Sequence, residues 1–301
     1  MKSFLALLAF LTQAGLHVDR GSIPAPDGTA LDAALVQPDG PPEGSAVVAL
    51  HGCGGPFPSR DGSWAVTLAH AGHIVLLPDS FGPRGLGSQC GVKELSVTPS
   101  KVRRQDAIAA AAWLAGQPGT PPGGVDLVGW SNGGGTVLCA AAQRPDLPPG
   151  LFRRFVAFYP GCGTGSREAD WRPARPLLIL VGESDDWTPA EPCHDLAARF
   201  PGQVELVTYP GAYHDFDAPD RAVEERSGLA TPPGGSGHAH TRTHEPARQD
   251  ALRRVPAFLN PAGTAKNQTQ AGLICANTGM GSINPPVSAE IASCACVRRR
   301  C

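Results

Sequence analysis

The chain has 301 residues, long enough to bury a sizeable core in one large domain. Its formal net charge is -2, from 25 basic and 27 acidic residues interspersed along the sequence. That excludes the basic stripe of a nucleic-acid binder and leaves small molecules as the expected partners. No apolar run approaches the roughly 18 residues that a membrane-spanning helix needs.

At the N-terminus a single lysine precedes an apolar run from Phe4 to Leu11, followed by Thr12-Gln13-Ala14 with small residues at plausible cleavage positions. Residues 1–14 therefore read as a short secretory signal, and the protein is expected in the periplasm or outside the cell. The competing reading is an apolar N-terminus packed on a cytoplasmic domain. Pro26-Asp27-Gly28 is a turn signal between short extended segments from about Ile23 to Pro38, which read as edge strands. Ala46 to Leu50 is a continuous apolar run of the kind buried on both faces of a sheet, and His51-Gly52-Cys53-Gly54-Gly55 follows it at once. A helix over Trp64 to Ala71, a strand at Ile74 to Pro78, and an Ala-rich helix from Arg103 to Ala115 come next. Strands at Val125–Trp130, Phe155–Tyr159, Leu177–Val181 and Val204–Tyr209 then alternate with helices. That alternation implies one domain over residues 15–260, with a mostly parallel central sheet covered by helices on both faces.

The strand at Val125 runs into Gly129-Trp130-Ser131-Asn132-Gly133, a Gly-x-Ser-x-Gly pattern that opens a helix. Such an elbow forces a sharp turn and presents the serine hydroxyl above the sheet, with glycines where a Cβ would collide. The Gly-rich loop after the Ala46 strand would supply one oxyanion donor, the Cys53 N–H, and the residue after the serine would supply the other, the Asn132 N–H. His51 reads as a residue that holds this loop rather than as a base.

Two later strands end in chemistry-bearing loops: Gly182-Glu183-Ser184-Asp185-Asp186-Trp187-Thr188-Pro189, and Pro210-Gly211-Ala212-Tyr213-His214-Asp215-Phe216. Carboxyl ends of parallel strands share one sheet edge, so Ser131, Asp185 and His214 are expected to converge there, in the chain order nucleophile, acid, histidine. Asp186 is an alternative acid, set second because Asp185 has the usual offset from Gly182 and Pro189. Asp215 and Asp217 read as solvated or loop-fixing groups, and His194 as an ordinary residue of a helix over Pro192 to Phe200. Phe57, Trp130, Trp187 and Tyr213 lie in or beside these loops, either as walls of an apolar acyl or alcohol pocket or as loop packing.

Nine cysteines bear on compartment. Cys139 falls on the helix after the elbow as a small hydrophobe. Cys53, Cys90, Cys162 and Cys193 fall in loops after strands, where pairs such as Cys53 with Cys90 and Cys162 with Cys193 would pin those loops; four cysteines allow three connectivities. His238, His240 and His244 are close in sequence, but no cysteine or carboxylate at a familiar ligand spacing accompanies them, so the stretch from Ser227 to Pro246 reads as a surface loop and no metal is assigned. A helix over Pro246 to Leu259, with Ala251, Leu252, Val255 and Phe258 on one face, closes the domain. Residues 261–301, with Cys275, Cys294, Cys296 and Cys301, read as a disordered tail.

The motifs at His51–Gly55, Leu77–Gly82, Gly129–Gly134, Gly182–Pro189 and Tyr209–Phe216, taken together, resemble the dienelactone hydrolase family of α/β-hydrolases over roughly Ile23 to Leu259. The resemblance implies an α/β-hydrolase fold acting on ester or lactone bonds of small molecules, without a metal or organic cofactor. The family's namesake enzymes use a cysteine nucleophile and a glutamate in the oxyanion loop. The matching positions here are Ser131 and Gly52, so the mechanism reads as that of a serine esterase. Arg84 lies near the arginine those enzymes use against a substrate carboxylate. A peptidase of the same fold and a non-catalytic binding protein are the competing readings.

Overall fold

The computed structural model describes residues 2–163 and 168–260. The expected cysteine-containing tail, 261–301, lies outside the described residues. An eight-stranded sheet runs in the order β1-β2-β4-β3-β5-β6-β7-β8. Its strands are β1 (His17–Pro24), β2 (Ala30–Gln37), β3 (Ala46–Leu50), β4 (Ile74–Pro78), β5 (Val125–Trp130), β6 (Phe152–Phe158), β7 (Leu177–Gly182) and β8 (Val204–Tyr209). β1 and β2 pair antiparallel, as do β2 and β4, and every other neighbouring pair is parallel. This is the α/β-hydrolase architecture.

Every residue of β3, β4, β5 and β7 is buried, the burial pattern of strands covered on both faces. The helix α3 (Val102–Ala115) packs against α4 (Asn132–Ala141), and both lie on β3 and β5. The helix α2 (Ser63–His70) packs against the last helix, Glu245–Leu259. That last helix buries Ala247, Ala251, Val255 and Leu259, one residue per turn, so its inward face is rotated from the one read in the sequence: Leu252 and Phe258 are only partly covered. The polar exception inside β5 is Asp126, which accepts a hydrogen bond from the Ser45 hydroxyl; burial pushes its carboxyl up to about 6.

The N-terminal segment forms a helix, α1 (Lys2–Gln13), whose Phe4, Leu7 and Leu11 are buried against β1 and the turn at Pro58–Gly62. The apolar run thus packs into the core. β1 begins at His17, earlier than the turn signal suggests, because pairing along all of β2 carries it to the partner of Gln37. Part of the presumed surface loop after Ser227 is also ordered: β10 (Ala239–Thr241) pairs with β9 (Glu224–Arg226), and Thr241 bridges to His214. Among the described residues two disulfides join Cys53 to Cys90 and Cys162 to Cys193, and Cys139 has no disulfide partner. Among the described residues no helix is long and apolar enough to cross a membrane.

Candidate active site

β5 delivers Ser131 to the carboxyl edge of the sheet with φ 54° and ψ -115°, a left-handed backbone that a non-glycine residue adopts only under constraint. The constraint is close packing. A Cβ at Gly129 would sit 2.4 Å from the Gly133 carbonyl oxygen, and one at Gly133 would sit 2.2 Å from the Leu50 carbonyl oxygen, so only glycines let α4 press onto the ends of β5 and β3. The Ser131 N–H donates to the Phe158 carbonyl on β6, fixing the elbow from its other side.

The loops after β7 and β8 meet in the same way. A Cβ at Gly182 would collide with the Ala212 carbonyl at 2.1 Å, and the Ser184 N–H donates to that carbonyl. This contact sets Asp185 beside His214: His214 Nδ1 lies 2.8 Å from Asp185 Oδ2, with both side chains buried. The other oxygen of Asp185 accepts the Trp187 and Thr188 N–H groups at 2.9 and 2.8 Å, and the Thr188 hydroxyl lies 3.0 Å from Oδ2. Asp186 faces away and pairs with His240 Nδ1 at 2.7 Å, so it does not orient His214. The imidazole of His214 packs against the tilted rings of Tyr159 and Trp187, with centroids at 4.4 and 4.7 Å. Its Nε2 is buried and has no hydrogen-bond partner among the described residues. Burial works against the imidazolium, but the Asp185 carboxylate outweighs it and holds the His214 pKa above the usual histidine value.

Ser131, His214, Cys53, Phe57 and Trp187 line one cavity of about 190 Å³, together with Arg226. The Cys53 N–H makes no hydrogen bond among the described residues, and Asn132 is the first residue of α4, whose leading N–H groups have no intrahelical partner. His51 holds the glycine loop as expected of it. Its Nε2 accepts from the Ser80 N–H at 3.2 Å, so Nδ1 carries the proton donated to the Gly52 carbonyl at 2.8 Å. Burial keeps this imidazole neutral, with a pKa well below the usual value.

Three sequence-level expectations change. Arg84 does not reach this cavity: its guanidinium forms a two-pronged pair with Asp106 at 2.8 Å and a second pair with Asp27. Trp130 is fully buried, stacked on Phe158, and structural rather than a pocket wall. Tyr213 turns its ring toward His240 instead. His238 and His240 pair with Glu225 and Asp186, and His244 caps the last helix, so the three histidines do not converge. A larger cavity, about 650 Å³, lies beside Arg84, Arg104 and Cys139. Its arginines are committed, Arg84 to Asp106 and Arg104 to Asp146, and burial together with the Glu168 carboxylate pushes the Cys139 thiol up to about 11, away from the reactive thiolate.

Asp215 and Asp217 are buried, not solvated. Arg60, itself buried, donates to Asp215 at 2.8 Å and pairs with Asp61. Asp217 accepts three hydrogen bonds, from Trp64 Nε1 at 2.7 Å, Trp130 Nε1 at 2.8 Å and the Tyr159 hydroxyl at 2.5 Å. One carboxylate thereby ties the histidine loop to α2, to the end of β5 and to the end of β6. The sequence signal was available in the aromatics: a buried Trp or Tyr needs a partner for its polar end, and three of them border the elbow.

The dienelactone hydrolase family model matches residues 31–263. The chain belongs to the dienelactone hydrolase family. An uncharacterized protein of Mycobacterium tuberculosis strain H37Rv is 29% identical over 191 residues, 57% of this chain and 63% of that protein, so the chain spans a little under two thirds of the length of this curated relative. Among solved structures, dienelactone hydrolase from Anabaena variabilis aligns with a TM-score of 0.55 at 24% identity, over 68% of this chain and 90% of that one. Thermogutta terrifontis esterase 2, phosphorylated by paraoxon, aligns with a TM-score of 0.58 at 21% identity, over 82% and 94%. These likenesses establish the shared fold of the family member described here.

Replacing Asp217 with Ala would leave three buried donors unpaired, each worth about 1–3 kcal/mol. We expect the largest stability loss of any single substitution in the histidine loop, several kcal/mol, read by urea unfolding. A loss below about 1 kcal/mol would contradict the role given to this carboxylate.

Proposed function

We propose that the protein is a serine-dependent carboxylic ester or lactone hydrolase. The observation that supports this most directly is the strained Ser131 on its elbow, lining the same cavity as a His214 whose far nitrogen is bound by the buried Asp185. In this reading His214 Nε2 takes the Ser131 proton as Oγ attacks the substrate carbonyl, and the Cys53 and Asn132 N–H groups hold the oxyanion. The leaving alcohol departs with the proton from His214, and water then releases the acyl group by the same route. Asp185 fixes the imidazole with Nδ1–H toward itself and stabilises the charged form. The chain's own Cys53 is tied in a disulfide and cannot act as a thiol nucleophile while oxidised.

The cavity is smaller than the roughly 300–1,000 Å³ of typical drug-sized ligand sites, which favours short acyl groups or small lactones. With p-nitrophenyl esters of increasing acyl length, kcat/KM is expected to be highest for acetate to butyrate and to fall for octanoate. Ser131→Ala, still folded by circular dichroism, is expected to lose at least about 1,000-fold in kcat. Activity retained in Ser131→Ala would contradict the mechanism, and an equal rate on matched anilides would move the reading to a peptidase.

The pH dependence follows from His214, which acts as a base only when neutral. Because its pKa is raised, the acid limb of kcat/KM is expected above pH 6.5. Asp185→Asn removes the charge that raises it, so the limb should move to lower pH while the plateau falls by roughly 10,000-fold. A limb that stays in place would show that His214 is not the titrating base.

We also place the protein in the periplasm or outside the cell. The described residues hold two disulfides, one of them, Cys53–Cys90, on the wall of the site, and such bonds persist in oxidising compartments. Fractionation of producing cells with thiol titration tests this. Recovery from the cytoplasm with Cys53, Cys90, Cys162 and Cys193 all reduced would contradict it.

A further inference from the structure

Arg103 stands in the first turn of α3 and is 1% exposed, one of the largest fully buried side chains of the molecule. Its guanidinium is directed at two neutral oxygens that belong to different loops. One nitrogen donates to the Asn132 side-chain oxygen at 2.6 Å and the other to the His51 carbonyl at 2.8 Å, while the guanidinium carbon lies 5.1 Å from the centroid of the Phe81 ring. Its Nε has no hydrogen-bond partner among the described residues. Burying a cation is costly; the Asp106, Asp79 and Asp61 carboxylates offset part of that cost through space, but the hydrogen bonds of Arg103 go to neutral oxygens, which add little to stability by themselves. The two acceptors explain its position: Asn132 bears one oxyanion N–H, and His51 lies two residues before Cys53, which bears the other.

We propose that Arg103 is a positioning residue of the oxyanion hole. It clamps the glycine loop after β3 to the N-terminus of α4 and supplies a fixed positive charge behind the two donors. The proposal rests on the serine-esterase reading. The clamp has a structural reason to be needed. Gly133 packs against the Leu50 and His51 carbonyls and Gly52 lies near the Ser131 Cβ, and among the described residues no direct side-chain hydrogen bond joins residues 51–57 to α4. A planar guanidinium with two donors in a rigid fork can bridge a carboxamide and a carbonyl at once, whereas an ammonium is a point donor without that fork. Burial brings the Arg103 pKa down to about 10, which leaves it cationic across the working range of a histidine base.

The test compares wild type with Arg103→Met, Arg103→Lys and Asn132→Ala. Active serines are first counted by titrating each protein to completion with paraoxon, one p-nitrophenolate released per Ser131 phosphorylated. Loss of an oxyanion donor costs about 100- to 1000-fold. A donor merely loosened should cost less, so Arg103→Met is expected to lower kcat on p-nitrophenyl acetate, per titrated serine, by about 10-fold or more. KM should change by no more than about 2-fold. Inhibition by a trifluoromethyl ketone, which forms the tetrahedral adduct, should weaken in proportion to the loss in kcat/KM. Arg103→Lys is expected to recover part of the rate, and Asn132→Ala to lower it and to add little to Arg103→Met in the double variant. If Arg103→Met fails to fold, Arg103→Lys and Asn132→Ala give the same comparison. Wild-type kcat per titrated serine in the folded variants, or a change confined to KM, would overturn the clamp and leave the esterase reading standing. A wild type that paraoxon does not titrate would overturn the esterase reading and the clamp with it.

Discussion

The left-handed backbone of Ser131 is the constraint on which the rest of the site depends. A non-glycine residue in that region costs on the order of 1–3 kcal/mol and persists only where the surroundings over-determine it. Here they do so from three directions. The parallel register that sets Leu50 opposite Gly129 brings β3 and β5 together, α4 presses its glycines onto both strand ends, and the Phe158 carbonyl takes the Ser131 N–H. The strain is offset by a sheet centre buried on both faces and apolar except for Asp126. The stability of the scaffold is therefore the means by which a serine hydroxyl is presented to a cavity.

Around that elbow, charge is placed for orientation more than for stability. Asp185 has both oxygens occupied by its own loop and by His214, so the imidazole has one tautomer and one direction. Behind it, Arg60, Asp61, Asp215 and Asp217 form a buried cluster in which Asp215 is held ionised by Arg60 against the cost of burial, while burial raises the Asp217 pKa. Buried ion pairs seldom add net stability, because desolvating the charges offsets their attraction. Their consequence is geometric. The histidine loop is fastened to the strand ends that carry Ser131 and Tyr159, and the disulfide between Cys53 and Cys90 lines another side of the cavity.

Much of this was legible in the residues. Apolar runs interrupted by Gly-rich loops fix the parallel sheet, and the strand-end positions of Ser131, Asp185 and His214 fix which edge they share. Local patterns also favoured Asp185 over Asp186 by its offset from Gly182 and Pro189, and in the structure Asp185 folds back on the N–H two residues on, that of Trp187. What the sequence could not show were contacts between distant segments. Arg84 looked available for a substrate because its two carboxylate partners, Asp27 and Asp106, lie 57 and 22 positions away. Trp130 looked like a pocket wall because its neighbour is the serine, yet alternation on β5 turns it into the core, where Asp217 satisfies its N–H. Arg60 was missed for the same reason, and Asp217, read as either solvated or loop-fixing, has the second role. Charged residues in loops read as solvated unless the loop is known to be covered.

The most direct test of the central claim is to treat the intact protein with paraoxon, digest it and locate the added diethyl phosphoryl group by mass spectrometry, with a His214→Ala variant alongside. The account predicts one adduct per chain, on Ser131, formed at least 100-fold more slowly without His214. An adduct on any other residue, or equal labelling of Ser131 in both proteins, would contradict the assignment of Ser131 as a histidine-activated nucleophile.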